Sequence, residues 1–170
     1  DRDEKVFNTG EENLNEENFN GLGDIIQNQF EGKTPLLDES FFNHYGPLAF
    51  LECDGPVEFG ITRFKKRPLV LEKLEQHAQT PEMLYAIDDD FIMPVAPIVY
   101  KNGESYPDID KIKAIRVKQG DGVIFNDGIW HWAPFPATNE KSSVLVGFKK
   151  GTAENDIIIK ELGKIFEIVE

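Results

Sequence analysis

Two stretches of this chain concentrate the side chains that could hold a metal ion. Leu71 to Leu84 reads LEKLEQHAQTPEML and carries Glu75, His77 and Glu82. Gly120 to Pro134 reads GDGVIFNDGIWHWAP and carries His131. Residues i and i+2 of a strand project to the same face, so Glu75 and His77 fall on one side. The turn after His77 can return Glu82 from the next strand, and a separate hairpin can bring His131. Two imidazoles and two carboxylates suit a divalent ion such as Mn, Fe, Ni or Zn. A position left open on that ion would take a substrate oxygen and stabilise negative charge developing on it. Plainer roles stand beside this one. A Glu–His pair at i, i+2 is common on exposed strands, His131 between Trp130 and Trp132 suits packing, and Glu82 after Thr80-Pro81 suits a solvated turn. Gln79 offers an amide, a poor ligand for such metals, and His44 has no partner in sequence.

The elements that must position these groups read as short strands. Val57 to Phe64 alternates, with Val57, Phe59, Ile61 and Arg63 on one face, and Leu69 to His77 alternates likewise. Pro47–Glu52, Met83–Ile87 and Phe91–Tyr100 are further strands. The two prolines of the last suit an edge or a bulge. Asp54-Gly55, Lys101-Asn102-Gly103 and Asn126-Asp127-Gly128 mark turns. Gly122–Phe125, Ile129–Trp132 and Val144–Lys149 follow as strands, and Asp156–Glu161 and Ile165–Val169 close the chain. Leu14 to Gln27 suggests a short helical start with Asn15 as a cap, and Asp38 a cap for another helical turn. Residues 1–13, acidic with little to bury, read as a flexible arm before a single domain over 14–170. Many evenly spaced strands indicate an antiparallel sandwich or small barrel, mainly β with a few short helices.

Composition narrows the function. A 170-residue chain with 40% apolar residues and 13 Phe can build one real core. A net charge of −13 argues against nucleic acid or an anionic membrane as partner. A small anionic substrate would then need a local basic group. The single cysteine, Cys53, excludes an internal disulfide and a thiolate metal site. No apolar run is long enough to span a bilayer, and the first ten residues lack the pattern of a signal peptide. The cytoplasm is the expected location.

The spacing of Glu75, His77, Glu82 and His131 resembles the ligand positions of the cupin superfamily, whose motifs run G-x5-H-x-H-x3,4-E-x6-G and G-x5-P-x-G-x2-H-x3-N, with Glu75 replacing the first His. More narrowly, the chain resembles the ureidoglycolate lyase family. Leu14, Glu17, Phe19, Gly23, Asp24 and Ile26 match its entry segment. Pro68, Leu69, Leu74, Glu75 and His77 match its P-L-x4-L-E-x-H strand. Pro107, Asp108, Ile109, Ile112, Lys113 and Ala114 match a third segment, and Gly122, Val123, Phe125, Ile129, Trp130 and His131 a fourth. The departures are Glu82 in place of a usual Gln, Asn126 in place of a His, Trp132 in place of a His or small residue, and Lys149-Lys150 in place of Asp-Arg.

The resemblance implies a cupin-like jelly-roll barrel that splits ureidoglycolate into urea and glyoxylate with the help of a divalent metal. It implies that Glu75, His77 and His131 hold the metal, with Glu82 completing the set or acting as base, and Glu82 and His131 as the catalytic pair. Arg63 would pair the substrate carboxylate, or be a surface charge of the basic run Arg63 to Arg67. Tyr85 and Trp130 would wall the pocket, with Asn126 a further substrate contact. Members commonly pair through an edge strand, so a homodimer is expected. Two other functions fit the same residues: a cupin acting on another small hydroxy or sugar acid, and a non-catalytic cupin that binds a small ligand. Convergence of Glu75, His77 and His131 on one point favours an enzyme. A greasy pocket without convergence favours a binding module.

Overall fold

The structure, a computed structural model, describes residues 6–170. In chain order the strands are β1 (Val6–Asn13), β2 (Gly23–Ile26), β3 (Leu37–Glu39), β4 (Phe42–His44), β5 (Val57–Lys65), β6 (Val70–Gln76), β7 (Glu82–Ala86), β8 (Phe91–Ala96), β9 (Ile98–Lys101), β10 (Glu104–Pro107), β11 (Lys113–Val117), β12 (Gly122–Phe125), β13 (Trp130–His131), β14 (Phe135–Pro136), β15 (Lys141–Lys149) and β16 (Ile158–Val169). One short helix, α1 (Thr152–Asn155), precedes β16. Strands β11-β1-β16-β6-β13-β8 follow one another, and β8 pairs back to β11, which closes a six-stranded mixed barrel. A second sheet of five strands runs β2-β12-β7-β15-β5. This is the mainly β barrel expected from the motifs.

Alternation along the barrel strands separates two faces. Leu74, Ala96 and Trp130 are buried in one cluster, which Leu71, Leu162 and Phe166 join where the register of β6 and β16 shifts. Met93, Val95 and Ile115 face the other way and pack against Leu84, Val123, Phe125, Val144 and Val146 of the five-stranded sheet. All six residues of β8 are buried because both its faces are covered. That is why FIMPVA reads as an unbroken apolar run. Pro94 is not on an edge. It pairs with Ala114 on one side, and on the other its carbonyl accepts the Trp132 N–H at 3.3 Å, in the gap between β13 and β14.

The flexible arm expected over residues 1–13 needs correcting from Val6 onward. Val6–Asn13 is β1, parallel to β16 over Val6–Gly10 and to β11 over Glu11–Asn13. Its acidic residues suggested solvation, but two free strand edges needed a partner. Glu11 is matched by Arg116 at 2.9 Å, and Phe7 packs on Phe166 with ring centroids 5.5 Å apart. The parallel β1 also makes the barrel mixed where antiparallel pairing was expected. The remainder of the arm lies outside the described residues.

Three smaller expectations also change. Residues 16–22 form turns rather than a helix, although Asn15 does cap them: its Oδ1 accepts the Asn18 N–H at 2.8 Å. The turn after Asp38 joins β3 and β4 in an antiparallel hairpin, and Pro47–Glu52 is not a strand. The two closing strands are one, β16, whose register shifts between Glu161 and Phe166 around Gly163 at φ +69°.

Candidate metal centre

Four side chains from three strands and one strand end meet between the barrel wall and the five-stranded sheet. Glu75 lies on β6, and His131 on β13 is its cross-strand partner. His77 follows the last residue of β6, and Glu82 opens β7. Their order along the chain follows from the turn at 77–81, which carries the chain from the barrel to the facing sheet. Glu75 Oε1 is 3.3 Å from His131 Nε2. Glu82 Oε2 is 3.3 Å from the same nitrogen and 3.0 Å from His77 Nε2. Ligand atoms of Glu75, His77 and His131 all lie within 4.8 Å of one another. The three thus converge as the metal-binding reading requires.

The hydrogen bonds of the two rings show what this cluster is prepared for. His77 Nδ1 is 2.7 Å from the Asp156 carbonyl, and His131 Nδ1 is 3.1 Å from the Ile129 carbonyl. A carbonyl only accepts, so each Nδ1 carries the proton and donates it. Each neutral ring therefore turns the lone pair of Nε2 toward carboxylate oxygens, which also only accept. Lone pairs that face one another at 3.0–3.3 Å need a cation between them, a proton or a metal ion. The buried atoms Glu82 Oε2 and His131 Nε2 accordingly have no hydrogen-bond partner. Donors bound to one ion at about 2.1 Å stand roughly 3.0–3.5 Å apart, so the spacing suits a metal. The residues present fit a divalent ion.

Without an ion, a proton takes that place. Burial alone would push the Glu82 carboxyl up. The charge of His131, with hydrogen bonds from both rings, overcomes it and holds the carboxyl at about 2. Burial would likewise lower the His131 imidazole, but the charge of Glu82, joined by Glu75, raises it to about 10. His77 is raised too: burial lowers it, and the hydrogen bond and charge of Glu82 win.

Around the centre stand the rings of Phe125, 4.8 Å from His131, and Phe148, 5.7 Å from His77. Other expected contacts lie elsewhere. Arg63 pairs across to Ser143 and so faces away from Val144 and the core, beside Asp88. Tyr85 points to the opposite face of β7 from Glu82 and Leu84, against Gly122. Trp130 points opposite to His131, is fully buried with Leu71 and Leu74, and donates Nε1–H to Ser105 Oγ at 3.3 Å. Asn126 is exposed and turns its amide toward the Gly21 carbonyl at 3.5 Å. In each case residue type suggested a role that strand parity or the local turn does not serve. Two residues that order the site carried no spacing signal. The Asp156 carbonyl accepts the His77 Nδ1–H, and Gln76 Nε2 donates to the Gly128 carbonyl at 2.9 Å, tying β6 to the turn before His131.

The model of the family described as ureidoglycolate lyase matches residues 9–165. The chain belongs to that family. No curated protein matches the chain. Among solved structures, oxalate decarboxylase from Bacillus subtilis superposes with a TM-score of 0.41 at 17% identity, over 64% of this chain and 24% of that one. A protein from Neisseria meningitidis superposes with a TM-score of 0.34 at 12% identity, over 59% of this chain and 84% of that one. The ureidoglycolate lyase family member described here thus spans about a quarter of the oxalate decarboxylase chain. None of its described helices is long and apolar enough to cross a membrane.

Proposed function

We propose that this chain holds a divalent ion with Glu75, His77, Glu82 and His131 and splits ureidoglycolate into urea and glyoxylate. The observation that carries the reading is the pair of Nε2 lone pairs aimed at carboxylate oxygens, with both Nδ1–H groups already committed. A divalent ion held there supplies Lewis-acid stabilisation of the negative charge that develops on a substrate hydroxyl oxygen. The reaction removes the hydroxyl proton, forms the carbonyl of glyoxylate, breaks the C–N bond and returns a proton to the leaving urea nitrogen. It needs no oxidant and no added water.

Glu82 is enclosed and has both imidazoles against Oε2, which supports it as a fixed member of the set rather than the base. The catalytic role expected of Glu82 and His131 is then to form the cage. Glu75 is the more open carboxylate, its side chain 24% exposed against 8% for Glu82. It presents Oε1 to His131, and its second oxygen is assigned the proton that moves from hydroxyl to nitrogen. A different small hydroxy or sugar acid, whose hydroxyl the same cluster would take, is the second reading. The test is an assay of Mn-, Ni- and Zn-loaded protein with ureidoglycolate. Urea and glyoxylate should appear in equal amounts, and Glu75→Gln should lower kcat by a factor of about 10²–10⁴. Loaded protein that releases no urea would leave the hydroxy-acid reading.

The homodimer is also proposed, and the surface supports it. Leu36, Leu37, Phe41, Phe42, Leu48 and Phe50 are exposed along one extended segment, as are Phe59 and Ile61 on β5, the edge of the five-stranded sheet. Their exposure ranges from 42% to 82%. At roughly 200 Å² for a whole large side chain, together they offer on the order of 900 Å², near the ~800 Å² that each partner contributes to a standard interface. Strand β5, at the edge of its sheet, suits an isologous pair. Sedimentation should give a dimer for the wild type and a monomer for the Phe41→Glu, Ile61→Glu double variant. A monomeric wild type would remove the proposal.

A further inference from the structure

Asp156 stands outside the four converging groups, yet it holds one of them in place. It directly follows α1, and its own N–H is fixed by the Thr152 carbonyl at 3.0 Å. Its carbonyl accepts the His77 Nδ1–H at 2.7 Å. Its carboxylate spreads over the next two residues. Oδ1 accepts the Ala78 N–H at 3.0 Å, and Oδ2 accepts the Gln79 N–H at 2.8 Å. One residue thus receives three donors from three consecutive positions.

The need for such a clasp comes from where His77 sits. The ladder between β6 and β16 reaches Gln76, paired with Ile158, and stops. Beyond it, His77 keeps one backbone tie, its carbonyl accepting the Gly128 N–H at 2.9 Å. The chain then turns toward Glu82. Left to those bonds, ring orientation would vary, and an imidazole that rotates presents the wrong nitrogen. A metal-binding His is commonly fixed through its other ring nitrogen, and loss of that outer partner weakens binding 10–100-fold.

We infer that Asp156 is a positioning residue of the metal centre. It holds His77 as the Nδ1–H tautomer with Nε2 turned inward, and its carboxylate fixes the turn that carries the ring. A carboxylate is required because two diverging N–H groups need two acceptor oxygens. An Asn offers one oxygen, and its NH₂ would face a donor. This inference rests on the proposal that the four groups hold a divalent ion, and its test separates the two.

The experiment titrates metal-free wild type, Asp156→Asn and Asp156→Ala with Co(II) and Mn(II), and records affinity and the Co(II) visible spectrum. Both variants keep the main-chain carbonyl that accepts the His77 Nδ1–H and lose only carboxylate acceptors of the Ala78 and Gln79 N–H groups. The Ala variant should therefore bind up to about 10-fold more weakly, with an altered Co(II) spectrum, and the Asn variant should fall between. Asp89→Asn is the control. Its Oδ2 accepts the Thr138 and Asn139 N–H groups at 3.1 and 2.9 Å in a similar clasp, away from the four groups. It should lose stability without change in affinity or spectrum. Asp156 variants that match the wild type in both readouts overturn the inference. A wild type that binds neither metal overturns the reading beneath it. Should Asp156→Ala fail to fold, Asp156→Asn decides, since equal affinity and spectrum there also overturn the inference.

Discussion

Protein purified without added metal or an affinity tag should carry near-stoichiometric divalent metal, and the His77→Ala, His131→Ala double variant should carry none. Each ring contributes a neutral Nε2 whose direction is set by a committed Nδ1–H. Loss of an outer-shell partner alone weakens metal binding 10–100-fold, so loss of both ligands should weaken it by roughly a thousandfold or more. Elemental analysis reads the result directly. The variant has a second defect that must be separated from the first. Without the imidazoles, Glu82 is a buried carboxylate with no cation near it, and stranding a buried charge costs about 3 kcal/mol or more. A triple variant that adds Glu82→Gln removes that charge. It should regain part of the melting temperature and still bind no metal. Equal trace metal in wild type and variants would end the metal reading.

The centre was legible from sequence because its signals are local or periodic. Glu75 and His77 are two apart, and Glu82 lies one turn away. The Asn126-Asp127-Gly128 turn announces the hairpin that carries His131. The barrel was legible for the same reason, from alternation and turn residues. What failed depends on partners distant in sequence. β1 looked like an arm because its acids seemed to want water, and Arg116, more than a hundred residues away, is what matches Glu11. Arg63, Tyr85 and Trp130 carry suitable chemistry, but each occupies the face of its strand opposite to the core or to its functional neighbour. Parity within one strand can be read from sequence. Which parity faces the site depends on the sheet it joins. Asp156 acts through a backbone carbonyl and through N–H groups some 80 positions away, and no spacing pattern encodes that.

Metal affinity should rise at least about tenfold per pH unit from pH 6 to 9, roughly three orders of magnitude or more in all. The sign follows from the state of His131 before the ion arrives. Burial disfavours its charge, but Glu82 and Glu75 raise its pKa to about 10, so the ring is protonated across this range. An ion needs the lone pair of Nε2, and binding must expel that proton. Glu82, held at about 2, is already ionised and adds no slope. His77, raised for the same reason, steepens the low end. A histidine at the ordinary value near 6.5 would instead give a plateau above about pH 7.5. Calorimetry in buffers of different ionisation heat should count about one proton released at pH 8. Glu82→Gln removes the largest raising charge, so its affinity should level off at lower pH. Stability of the metal-free protein should follow the same groups. The His131 contribution is whole below pH 6.5 and lost as pH rises through 10, and that of Glu82 is whole above 4.5 and lost as pH falls through 2. A wild-type affinity that is flat between pH 7.5 and 9 would mean that no proton occupies the centre in the absence of metal. The facing lone pairs would then be kept apart by something other than an ion pair of His131 with Glu82 and Glu75.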